Sequence, residues 1–153
     1  MWPSIIQYVV NLLAGCFLFV LLAAYMSVAA GVTAFGLLLV VTPLILGGFC
    51  SSLALFAPKV SAILGILCTT PFLYAGIEQI IDPGPAPFPA MFIIPAALAA
   101  FASVMSLLCS TRSVWSIQKS IVGKTLVTVF AVLPALFSTY SLIHIASFFF
   151  GYV

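Results

Sequence analysis

Glu78 and His144 are the residues of this chain best equipped for proton chemistry. His144 is its only histidine, and Glu78 is one of two acids. An imidazole titrates near neutral pH, and a carboxylate beside it shifts that titration. Ionisable groups inside apolar helices are rare, and they mark proton and ion paths. Both residues lie toward the outer ends of their apolar runs, at similar predicted depth, so they could form a proton-sensing or proton-coupled pair. The plainer reading is that each is solvated at the membrane surface. Gln7 and Asn11, one helical turn apart, are a second candidate pair. Carboxamides in an apolar helix bond to another helix or to a partner subunit. Interhelical packing is the reading adopted for them.

Other chemistries find little material. Cys16, Cys50, Cys68 and Cys109 form no CxxC pair, and no histidine stands near any of them in sequence. Metal-site spacing is absent, and neither a metal nor another cofactor is expected. Cys50 and Cys109 fall toward the same end of their apolar runs and are candidate neighbours. A lone histidine cannot supply both axial ligands of a bis-histidine haem. The P-loop, HExxH and GxSxG patterns are missing. An intramembrane active site gathers several His, Asp or Glu residues, so an enzyme is the least expected class and no catalytic residue is assigned.

The elements that carry these residues follow from composition. Only four basic and two acidic side chains occur in 153 residues, while 65% of residues are hydrophobic. The mean hydropathy is +1.42. So few charges cannot cover a water-soluble surface. A helix needs about 20 apolar residues to cross the hydrocarbon core. Five runs qualify, at about 4–29, 33–57, 60–81, 89–110 and 121–149. They are apolar on all sides, unlike the alternating strands of a β-barrel. The expected fold is an all-α integral membrane bundle of about five helices, forming a single transmembrane domain over 1–153. Leu13-Ala14-Gly15-Cys16 resembles the lipobox of bacterial lipoproteins. It lacks the basic start and the polar stretch after the cysteine, so the first run is read as a retained helix.

Charge placement predicts an orientation. Lys59, Arg112, Lys119 and Lys124 fall in two breaks between runs, and Glu78 and Asp82 flank the break between those two. Basic residues collect in cytoplasmic loops. That puts the N-terminus inside and the C-terminus outside, with both acids at the outer end. The net charge of +2 is too small to suggest a nucleic-acid partner. Trp115 would anchor at the headgroups, with Arg112, Lys119 and Lys124 reaching lipid phosphate. Arg112, Trp115 and Lys119 share a face if their segment is helical. Trp2, Tyr25 and Tyr152 read as interfacial anchors. The proline-rich stretch 82–89 reads as a stiff outer connector.

Runs two to five each hold an interior proline: Pro43, Pro71, Pro95 and Pro134. Each is a candidate kink. Their spacing around the two basic turns suggests a parallel repeat, but the surrounding side chains match poorly. Small residues recur at helical spacing, as in Ala23-Ser27-Gly31, Ser61-Gly65-Thr69 and Ala99-Ser103. Such rows let helices approach closely, and run four, small on several faces, is expected at the centre. The resulting expectation is a non-catalytic helical-bundle subunit or interaction partner within a membrane complex. Its partners would be lipids, other membrane proteins or further copies of itself. The alternative is a small oligomeric transporter or channel, proton-linked through Glu78 and His144. A bacterial inner membrane is the expected location.

Overall fold

A computed structural model describes residues 1–28, 34–83 and 88–151. The described residues are helical with no strand. The first crossing is α1 (Trp2–Val28). The second is composite: α2 (Ala34–Leu44), a π-helical turn (Ile45–Cys50) and α3 (Ser51–Phe56). The third is α4 (Pro58–Ile81), which follows a single-residue break at Ala57. A 3-10 turn (Phe88–Phe92) leads into α5 (Ile93–Cys109), the fourth crossing. The short α6 (Val114–Ile117) precedes α7 (Ile121–Phe150), the fifth. Among the described residues five helices are long and apolar enough to cross a membrane, as a small multi-pass membrane protein requires. Their limits match the five expected runs to within a few residues. The middle of the 82–89 connector, residues 84–87, lies outside the described residues, as do Gly31 and Tyr152.

The first four crossings form a four-helix arrangement. α1 packs against α5 and the second crossing, and α4 packs against the same two. α1 and α4 therefore face each other across the bundle axis. α7 stands outside this group and packs mainly on the second crossing. The second crossing is thus the central one, with 56% of its span buried against 39% for the fourth. This corrects the expectation for run four. Its small residues let α1 and α4 come close, but no helix covers its outer face. There Leu98, Phe101 and Leu108 are exposed. In the first row, Ala23 and Ser27 are also exposed. Ser61, Gly65, Thr69, Ala99 and Ser103 all turn inward.

The prolines act differently from one another. Pro43 lies near the end of α2, directly before the π-helical turn. Proline removes one ladder bond and its ring crowds the preceding turn. The wider π geometry that follows leaves carbonyls for side chains to satisfy. Ser138 Oγ donates to Leu44 O at 2.9 Å, and Ser52 Oγ donates to Gly48 O at 2.6 Å. Ser51 Oγ donates to Gly47 O. Pro71 and Pro134 are interior to α4 and α7. Pro95 is not an interior proline. It stands in the first turn of α5, directly after the 3-10 turn.

Candidate functional site

The polar side chains expected to matter cluster on the bundle axis, toward the end that carries the basic residues. On α1, Ser4, Gln7 and Asn11 fall one turn apart, and all three are fully buried. Ser4 Oγ lies 2.8 Å from Ser110 Oγ, which is 3.1 Å from Ser106 Oγ. Gln7 Nε2 donates to Ser61 Oγ at 2.9 Å. Ser61 Oγ in turn donates to the Cys50 carbonyl in the π-helical turn. Asn11 and Ser103 converge over Gly65. A methyl group built there would stand 3.4 Å from Asn11 Nδ2 and 2.5 Å from Ser103 Oγ. All four crossings of the inner bundle thus contribute to one axial polar seam.

α7 is fastened by a separate set of bonds. Tyr8 OH donates to Phe130 O at 2.7 Å, and Ser52 Oγ also lies 2.5 Å from Ala131 O. With Ser138 on Leu44 O, these contacts tie α7 to α1 and to the second crossing. Glycine allows the close approach. A Cβ at Gly48 would fall 1.8 Å from Ser138 Oγ.

Glu78 and His144 are not brought together within one chain. α4 and α7 each pack on the second crossing and not on one another to any extent. Both residues are exposed, and His144 stacks edge-on against Tyr140 with ring centroids 4.4 Å apart. Among the described residues no group of His, Cys, Asp or Glu could hold a metal ion. Cys50 does not neighbour Cys109. Its thiol lies beside Cys68 of α4 in the axial core, whereas Cys109 faces outward. The reason is helical phase, since Cys109 falls between the inward Ser106 and Ser110 positions.

The basic end is organised around Trp115. Lys124 Nζ lies 4.5 Å from its ring centroid, and Phe56 packs against it at 6.4 Å. The shared face expected of Arg112, Trp115 and Lys119 does not form. The segment is helical for one turn only, from Val114 to Ile117, begun by the Ser113 side-chain cap. Arg112 instead borders a notch of about 380 Å³ with Lys59, Ser110 and Ser116. Lys119 is exposed. An apolar groove of about 590 Å³ opens between α1 and α5, walled by Leu13, Phe17, Ile94 and Leu98.

No protein-family model, curated protein or solved structure matches this chain.

Sequence reasoning singled out Gln7 and Asn11 but missed Ser4, Ser52, Ser106, Ser110 and Ser138. Serine is common in membrane helices and gives little signal alone. The available clue was phase. Ser4, Gln7 and Asn11 recur every three or four residues, as do Ser103, Ser106 and Ser110.

Proposed function

We propose that this chain is a non-catalytic subunit of a membrane complex, acting by helix-to-helix contact with a partner membrane protein. The observation that carries the reading is the one-sided seating of α7. Only 11% of its span is buried, against 33% or more for every other crossing. Its free face is broad and bulky, with Val129, Leu133, Leu136 and Tyr140 exposed. The use of the buried polar groups supports the same reading. Ser4, Gln7, Ser61 and Ser138 bond one crossing to another. The orientation from charge bias puts the basic end in the cytoplasm, and a bacterial plasma membrane is the proposed setting.

The test is purification in native nanodiscs followed by native mass spectrometry. A stoichiometric foreign protein is expected. Its loss on Leu133→Ala with Leu136→Ala, with the bundle still folded, would place the contact on α7. A clean monomer would mean that lipid alone covers this face, and the proposal would fail. The proton-linked alternative requires Glu78 of one copy to meet His144 of another. A homo-oligomer whose proton flux is lost in Glu78→Gln would favour it.

A further inference from the structure

Four polar atoms on the bundle axis are buried without a partner: Gln7 Oε1, Asn11 Oδ1, Asn11 Nδ2 and Ser103 Oγ. Their residues are fully buried, so neither lipid nor bulk water reaches them. Asn11 lies nine residues into α1, roughly 14 Å along its axis at 1.5 Å per residue. That is near the middle of a hydrocarbon core about 30 Å thick. An unmet polar group there is costly, because nothing in the hydrocarbon replaces its hydrogen bonds. Gln7 is one turn away on the same face and has already committed Nε2 to Ser61. The absence of a side chain at Gly65 lets Ser103 Oγ and Asn11 Nδ2 turn toward the same point on the axis, where a Cβ would stand 2.5 Å from the first and 3.4 Å from the second.

The chemistry of the four atoms selects the ligand. Two are carbonyl oxygens that only accept, one is an NH₂ that only donates, and one is a hydroxyl that does both. A monovalent cation would satisfy the oxygens and leave Nδ2 bare. It would also bring a charge into a region without an acid, since Glu78 and Asp82 lie at the far end of α4. An uncompensated charge in such surroundings is strongly unfavourable. Water donates two protons and accepts two, and a bridging water is nearly as favourable as a direct hydrogen bond. Buried waters make about three hydrogen bonds to otherwise unmet groups. The geometry points to an internal water site on the axis, held by Gln7 Oε1, the Asn11 carboxamide and Ser103 Oγ.

Asn11 is the only asparagine in the chain. Isotope-labelled asparagine therefore gives one side-chain amide and one backbone amide. In water-edited solid-state NMR of the full chain in lipid bilayers, magnetisation from water is expected to reach Nδ2 several-fold faster than the backbone N–H of Asn11. In Ser103→Ala, which removes one anchor, that transfer is expected to fall several-fold with the signal still visible. Equal or slower build-up at the side chain of the unaltered protein overturns the proposal, because Asn11 then pairs directly with Ser103. Unchanged transfer in Ser103→Ala removes Ser103 from the site. The comparison within the unaltered protein stands even if that variant fails to fold.

Discussion

Gly15 and Gly47 meet backbone to backbone. A Cβ on Gly15 would fall 2.4 Å from Gly47 Cα, 2.5 Å from Gly47 N and 2.7 Å from the Pro43 carbonyl. α1 therefore crosses the second span at the π-helical turn with no side chain between them. On the other side of that turn, Gly48 gives α7 the same close approach through Ser138 and Pro134. The Gly47-Gly48 pair is the point where three crossings come nearest. Close backbone approach at small residues is the usual source of packing energy between helices in lipid.

A side chain at Gly15 has nowhere to go, because the obstructing atoms are backbone. Gly15→Val is expected to destabilise the bundle by about 1–3 kcal/mol or more, the range for overpacking. Thermal unfolding in mild detergent checks this, with Val20→Ala as the comparison. Val20 is exposed, so its truncation is expected to stay within about 0.5 kcal/mol.

α7 is tied to the bundle by hydroxyl-to-carbonyl bonds from Ser138 and Tyr8, and by Ser52 Oγ, whose one proton is shared between Gly48 O and Ala131 O. Interhelical hydrogen bonds in membranes average about 0.6 kcal/mol each. Ser138→Ala alone is expected to cost about that much. Ser138→Ala combined with Tyr8→Phe is expected to loosen α7 selectively. Spin-label distances from α7 to α1 should broaden, while those from α1 to α5 stay fixed.

Glu78 and His144 are exposed and belong to helices that do not pack together. Glu78→Gln and His144→Ala are each expected to leave folding stability within about 0.5 kcal/mol of the parent. Expression level and unfolding temperature are the readouts. A large loss in either variant would reveal a buried partner for that residue, supplied by another copy or another protein.

Lys124 over Trp115 is an exposed cation–π contact at the basic end. Such contacts contribute about 0.5–1 kcal/mol. In a Trp2→Phe background, Trp115 is the sole tryptophan. Lys124→Gln is expected to change its fluorescence emission and its quenching by soluble quenchers. An unchanged spectrum would show that Lys124 lies elsewhere in the bilayer-embedded protein.

The five crossings were legible because scarcity of charge and run length are properties of composition alone. The segregation of basic and acidic residues was equally plain. What the sequence withheld was phase and neighbour choice. Ala99 and Ser103 announced a close contact but not which helix would fill it. Cys50 shares a predicted depth with Cys109, yet it meets Cys68, because facing is set by rotation about the helix axis. The π-helical turn was hidden because Pro43 announces a disturbance without its geometry. Gln7 and Asn11 stood out since a carboxamide in an apolar run demands a partner. The serines that complete the seam carried no such demand.

The bond between Ser4 and Ser110 joins residues 106 positions apart. At a synthesis rate of about 5–20 residues per second, Ser4 is made roughly 5–20 seconds before Ser110. Gln7 waits about half as long for Ser61 of α4, 54 positions on, while Ser4 and Asn11 belong for longer to a newborn segment with no α5 to receive them. The polar stripe that binds the finished bundle is, during biogenesis, a reason for the segment to linger beside the insertion machinery. The polar face of the first crossing is therefore met in steps, by the third crossing and then by the fourth.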